Sequence, residues 1–98
     1  MLSQSRVYQA GAALTAARQA GNLRAEGLSL VRLGEAHQCM GLLEIAISLH
    51  QDGLAILSQT HNRWQYALAI RRLADAHRDQ RRADDAAEQY QQALTILR

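Results

Sequence analysis

Hydrophobic residues recur at helical spacing along the whole chain and predict five α-helices. The expected helices run from about Gln4 to Gln19, Arg24 to Met40, Leu42 to Thr60, residue 63 (after the cap Asn62) to Arg78, and Asp84 to Arg98. The connections between them are short, so consecutive helices are expected to be antiparallel. The pattern therefore predicts an all-α fold.

Several residues mark the expected helix ends. Gly21 is a natural stop for the first helix, and Asn22 after it is an N-cap for the second. Asn62 is placed to cap the fourth helix, with Gln65 three residues on in the capping-box position. Gly53 lies inside the third helix, where glycine costs about 1 kcal/mol relative to alanine. Its presence there predicts a close packing contact.

The chain also matches itself at an offset of 40 residues, residues 30–57 lying over residues 70–97. Nine of the 28 pairs are identical: Arg32/Arg72, Leu33/Leu73, Ala36/Ala76, His37/His77, Ala46/Ala86, Gln51/Gln91, Leu54/Leu94, Ile56/Ile96 and Leu57/Leu97. A weaker third copy precedes them. A fixed period of this size indicates stacked supersecondary units.

The two better copies resemble tetratricopeptide repeats. The resemblance rests on small and ring-bearing residues at the family's spacing: Leu33, Gly34 and His37, then Ala46, His50 and Gly53 in one unit, and Leu73, Ala74 and His77, then Ala86, Tyr90 and Ala93 in the next. It implies antiparallel helix-turn-helix repeats stacked as a short right-handed α-solenoid.

The 40-residue period is similar to a longer variant of that repeat found in bacterial signalling proteins and transcriptional regulators. In that variant the second helix is extended by about a turn. Residues 1–98 are accordingly interpreted as one domain and as a fragment of a larger protein. Its parts are 4–20, the second helix of a partial repeat, and the two repeats 24–60 and 63–98.

Charge and composition narrow the classes of function. The net charge is only +2 and both signs are mixed along the chain, so a nucleic-acid partner for this segment is not indicated. Cys39 is the single cysteine, which rules out an intramolecular disulfide and favours a cytoplasmic location. No apolar run approaches the roughly 20 residues of a membrane span.

The resemblance implies a concave groove, lined by the first helix of each repeat, that binds a peptide or protein. Projection of that face selects Leu28, Val31, Arg32, Glu35, Gln38, Cys39, Leu68, Arg71, Arg72, Asp75, Arg78 and Asp79. The residues selected from these as partner-binding are Val31, Glu35, Gln38, Leu68, Arg71, Arg72, Asp75 and Arg78. Arginine suits pairing with carboxylates of a partner, and a mixed-charge ligand is expected. In the alternative interpretation, Arg71 and Arg78 pair with Asp75 on a solvated face.

Other residues give weaker signals. The four histidines lack the i, i+3 or i, i+4 spacing of metal ligands, and Cys39 has no neighbouring base in the sequence. No catalytic, metal or cofactor site is therefore predicted, and the chain is not expected to be an enzyme. Trp64 is interpreted as a staple over the start of the fourth helix, with a surface anchor as the alternative.

Together these features predict a protein-interaction scaffold, the sensory or regulatory part of a larger bacterial regulator. Two alternatives stay open. One is a segment of a DNA-binding transcriptional regulator. The other is a self-association module, in which uncapped ends of the array bury each other in a homodimer.

Overall fold

The computed structural model describes residues 2–97, which form five α-helices joined by short turns. The helices are α1 Leu2–Ala20, α2 Leu23–Cys39, α3 Leu43–Leu57, α4 Arg63–Asp79 and α5 Ala83–Leu97. The predicted all-α class is confirmed. The expected end of the last helix at Arg98 and the residue Met1 of the predicted domain lie outside the described residues.

The 40-residue period of the sequence is also the period of the backbone. α4 begins and ends 40 residues after α2, and α5 begins and ends 40 residues after α3. Positive φ angles follow the same rule. They occur at Gly21 (66°) and His61 (60°), and at Gly41 (78°) and Arg81 (64°). The α2–α3 pair and the α4–α5 pair are therefore two copies of one helix-turn-helix unit.

The turn inside each unit closes with the same hydrogen bond. The Leu42 amide donates to the His37 carbonyl at 3.0 Å, and the Arg82 amide donates to the His77 carbonyl at 2.9 Å. Each bond spans a residue of positive φ and satisfies a carbonyl at a helix end, as in a Schellman motif. The turn geometry is thus kept although Gly41 in one unit is replaced by Arg81 in the other.

The predicted N-caps are confirmed, and the capping box is half formed. The side chain of Asn22 accepts from the Ala25 amide at 3.1 Å, and Asn62 accepts from the Gln65 amide at 3.0 Å. The Gln65 side chain does not complete a box, because its oxygen accepts from the Arg24 guanidinium of α2 at 3.2 Å. That side chain therefore ties α4 to α2.

The third helix is shorter than predicted, ending at Leu57 and not at Thr60. Residues 58–61 form turns. The Ser58 hydroxyl donates to the Ala55 carbonyl at 2.7 Å, and the Thr60 hydroxyl donates to the Leu57 carbonyl at 2.8 Å. Such local side-chain bonds occupy carbonyls near the helix end and compete with its continuation. The extended second helix that the resemblance implied is absent here.

Neighbouring helices pack in chain order, and α2 also touches α4. Gly27 and Gly53 lie at the contact between α2 and α3. A Cβ atom at Gly53 would lie 2.9 Å from Val31 Cγ2 and 3.0 Å from the Gly27 carbonyl oxygen. The packing role predicted for Gly53 is confirmed. None of the helices within residues 2–97 has the length and apolar character that a bilayer crossing requires.

Candidate partner-binding site

The residues selected from the sequence as groove-lining do not share one surface. Val31 is buried, with 6% of its surface exposed, in a cluster with Leu57 and Ala69. Its expected place in an open groove is wrong, because α4 covers it. Six of the remaining selected residues divide between two separate cavities, and Arg78 lines neither of them.

The first cavity is lined by side chains of α1, α2 and α4, and we call it the central groove. It has a volume of about 330 Å³ and is lined by Arg6, Glu35, Gln38, Cys39, Arg72, Asp75 and Asp79. Four of the eight selected residues line it: Glu35, Gln38, Arg72 and Asp75. The sequence projection omitted Arg6, because the first helix was expected to lie outside the groove.

A chain of ion pairs crosses the central groove from helix to helix. Glu35 of α2 lies 3.0 Å from Nε of Arg72 on α4 and 3.9 Å from Arg6 on α1. Gln38 of α2 donates to Asp79 of α4 at 2.7 Å. These contacts join three helices through polar side chains. Both signs of charge are therefore presented side by side at one surface.

Within α4 the pairing differs in part from the alternative predicted above. Asp75 lies 3.8 Å from Arg78, so that pair is confirmed, and 3.9 Å from Arg72. The expected Arg71–Asp75 pair is wrong, since Arg71 faces a different cavity. Arg78 also lies 3.6 Å from Asp79. Guanidiniums so closely matched by carboxylates differ from the unpaired basic surface that a nucleic-acid backbone attracts.

Tyr90 of α5 holds the Asp75 carboxylate by a hydrogen bond. Its hydroxyl donates to Asp75, and Arg78 lies 3.4 Å from the same hydroxyl. The hydrogen bond to Asp75 raises the pKa of Tyr90, and burial and the Asp75 charge act in the same direction. The ring that the resemblance placed in a packing position thus also holds a groove carboxylate.

His50 of α3, which occupies the equivalent position in the first unit, is fully buried. Its ring lies over Gly34, where a Cβ atom would come within 2.8 Å of it. Neither ring nitrogen has a hydrogen-bond partner among residues 2–97. Burial, with the Arg72 charge as a second cause, lowers the pKa of His50 to about 4, against a weaker opposing effect of Asp75. The ring is therefore neutral at physiological pH.

The second cavity lies on the outer side of α4 and α5, and we call it the end groove. It has a volume of about 360 Å³ and is lined by Trp64, Ala67, Leu68, Arg71, Tyr90, Ala93, Leu94 and Leu97. Leu68 and Arg71 are the selected residues found here. Trp64 is 68% exposed, so the expected staple over the helix entry is wrong.

The described residues hold no group of three or more His, Cys, Asp or Glu side chains placed to bind a metal ion. Cys39 is exposed, and the Arg6 guanidinium lies 3.5 Å from its sulfur. The arrangement offers paired charges in one groove and apolar side chains in the other.

The family model described as tetratricopeptide repeat matches residues 23–98. The matched range begins at the first residue of α2 and takes in both helix-turn-helix units. No curated protein and no solved structure matches the chain.

Proposed function

Because the chain belongs to the tetratricopeptide repeat family, whose repeats mediate protein–protein interaction, we propose that its central groove binds a peptide segment of a partner protein. The observation that carries this proposal is the chain of ion pairs across the groove. It places Arg6, Glu35, Arg72 and Asp75, from three helices, around one cavity. The ligand expected there carries adjacent charges of both signs.

A ligand can bind there by exchanging ion pairs. Exposed pairs contribute only about 0–1 kcal/mol each, so a partner that offers equivalent charges can replace them at small cost. Glu35 and Asp75 are about one-quarter and one-fifth exposed, and each is shared between two guanidiniums. A peptide arginine therefore has two partly open carboxylates to bind, and a peptide carboxylate has Arg6 and Arg72.

The experiment is selection of peptides from a displayed random library on the immobilised chain. We expect the selected peptides to carry acidic and basic residues close together. We expect them to lose most of their affinity for the Arg72→Gln and Asp75→Asn variants. Arg82→Gln is the control, because Arg82 is exposed and does not line the central groove. Peptides of a single charge sign, or equal loss with the control, contradict the proposal.

We further propose that the chain is the sensory or regulatory part of a larger bacterial regulator, as the 40-residue period suggested. In the whole regulator, Arg72→Gln should weaken partner binding, so that the output activity persists but no longer responds to the partner.

The DNA-binding alternative is tested separately by titration with duplex DNA. Salt-dependent association with the DNA would favour that alternative.

A further inference from the structure

Two carboxylates of the central groove, Glu35 and Asp75, are repeat equivalents that the structure holds in different ways. Oδ1 of Asp75 accepts a hydrogen bond from the Tyr90 hydroxyl of its own unit. The equivalent of Tyr90 is His50, whose ring nitrogens have no hydrogen-bond partner among residues 2–97. Glu35 therefore lacks this support and is held by guanidiniums of α1 and α4.

The hydrogen bond from Tyr90 keeps Asp75 in place when its ion pairs are exchanged. Arg72 and Arg78 lie 3.9 and 3.8 Å from Asp75 and are 38% and 62% exposed, so both are free to move toward solvent. The hydrogen bond also raises the pKa of Tyr90, so its hydroxyl remains a donor at physiological pH. A carboxylate fixed before binding loses less conformational entropy when a ligand arrives. Glu35, in contrast, loses its fixed partners when a ligand takes its guanidiniums.

The second oxygen of Asp75, Oδ2, is open to a ligand. It accepts no hydrogen bond from the described residues, and Arg72 Nη1, at 3.9 Å, lies beyond hydrogen-bond distance. The Asp75 side chain is only 18% exposed, so a group that reaches Oδ2 is partly withdrawn from water. A guanidinium suits such a place better than an ammonium, because it is more weakly hydrated and donates in a fixed plane.

The charge of the central groove also favours a cation. Its charged lining consists of three carboxylates and two guanidiniums: Glu35, Asp75, Asp79, Arg6 and Arg72. The lining thus has one more negative charge than positive charges, and a ligand cation balances it. Arg78 does not line the cavity and is shared between Asp75 and Asp79 at 3.8 and 3.6 Å.

We propose that Tyr90 is a positioning residue of the central groove, which fixes Asp75 as the carboxylate that takes an arginine side chain of the ligand peptide. The carboxylate of the ligand binds at Arg6 and Arg72. This inference rests on the proposed function and deepens it. Of the two partly open carboxylates, Asp75 binds the arginine, and Glu35 yields its guanidiniums to the ligand.

The test uses three small probes: N-acetylarginine amide, N-acetyllysine amide and N-acetylglutamate amide. Each is titrated into the isotope-labelled chain and followed by NMR. The side-chain amide of Gln38, which donates to Asp79, reports on the central groove. The indole of Trp64, in the end groove, reports on binding elsewhere. We expect the arginine probe to shift the Gln38 signal saturably and to leave the Trp64 signal unchanged.

We expect the arginine probe to bind severalfold more tightly than the lysine probe. Tyr90→Phe keeps the ring and removes the hydroxyl. It should weaken the arginine probe about fivefold, the effect of one hydrogen bond, and leave the glutamate probe unchanged. Asp75→Asn should abolish the preference for arginine. Tyr66→Phe is the matched control, because it removes a hydroxyl outside the central groove and should change none of these affinities.

Three results overturn the proposal. The arginine probe fails to shift the Gln38 signal, it binds no better than the lysine probe, or its affinity is the same for Asp75→Asn as for the wild type. If Tyr90→Phe weakens the arginine and glutamate probes alike, Tyr90 only maintains the fold, and its positioning role is rejected.

Failure of this inference is distinguishable from failure of the proposed function. Arginine binding at Asp75 by a chain that selects no peptide from the library contradicts the proposed function alone. Selected mixed-charge peptides that bind Tyr90→Phe as tightly as the wild type contradict the role of Tyr90 alone.

Discussion

At the scale of single residues, His50 combines complete burial with two ring nitrogens that lack partners among residues 2–97. A neutral imidazole carries one N–H donor, and a buried donor without a partner costs about 1–3 kcal/mol. The residue is tolerated because Gly34 leaves room for its ring. The equivalent Tyr90 avoids this cost, since its hydroxyl extends to Asp75.

His50 makes the stability of the fold sensitive to acid. Above the ordinary pKa of 6.5 the ring is neutral in folded and unfolded chains alike, so His50 adds no pH dependence there. Between pH 6.5 and about 4 the unfolded chain binds a proton that the folded chain does not. The free energy of unfolding therefore decreases as the pH is lowered through this window. His50 accounts for about 3 kcal/mol of the decrease in total.

Urea unfolding of the wild type and of His50→Leu at several pH values between 7.5 and 4 measures that contribution. We expect His50→Leu to unfold at higher urea at neutral pH and to lose much less stability on acidification. His61→Asn, at an exposed histidine, is the control and should keep the wild-type slope. If the free energy of unfolding changes equally with pH in the wild type and in His50→Leu, then His50 is protonated in the folded chain as well.

Arg81 has a left-handed backbone conformation that its glycine equivalent, Gly41, adopts without strain. A non-glycine residue pays roughly 1–2 kcal/mol for this conformation, part of which is offset by its smaller entropy loss on folding. We expect Arg81→Gly to raise the free energy of unfolding by about 1 kcal/mol, and Gly41→Ala to lower it by a similar amount. Thermal unfolding of both variants measures the effects, and a lower Tm for Arg81→Gly contradicts the first expectation.

At the scale of helices, the two units differ in the small residues at the contact between their helices. Gly27, Gly34 and Gly53 of the first unit correspond to Ala67, Ala74 and Ala93 of the second. Each of the three glycines faces a side chain or carbonyl that a Cβ atom would meet at 3.0 Å or less. The α2–α3 pair therefore depends on glycine at its contact, whereas the α4–α5 pair is built with alanine at the same positions.

Gly53→Ala is expected to destabilise the chain although alanine is the better helix former. The new methyl group meets Val31 and the Gly27 backbone, and overpacking of this kind costs about 1–3 kcal/mol. Gly11→Ala in α1 is the matched control, because nothing lies within 4 Å of the added Cβ. That variant should gain up to about 1 kcal/mol. Denaturant unfolding that ranks the two variants in the opposite order contradicts this account.

The helices were predictable from sequence because their signals are local: apolar spacing, the caps Asn22 and Asn62, and the 40-residue self-match. The contacts across helices were not. The burial of Val31 depends on how α4 lies over α2, and the reach of Arg6 into the central groove depends on the packing of α1. The separation of Arg71 from Arg72 is a rotation of one residue about α4, which a projected face does not resolve.

At the scale of the whole molecule, α2, α3 and α4 each pack against helices on both sides, while α1 packs only on α2 and α5 only on α4. The stability of such an array is approximately the sum of the stabilities of its units and of the interfaces between neighbours. The middle helices therefore need more free energy to open than the end helices. On α5, Leu94 and Leu97 are 54% and 46% exposed. The end groove thus lies at one of the two less supported ends of the fold.

Native-state amide hydrogen exchange checks this gradient directly. We expect the slowest exchange in α2, α3 and α4, with α1 and α5 exchanging through openings of lower free energy. Equal protection in all five helices would show one cooperative unit.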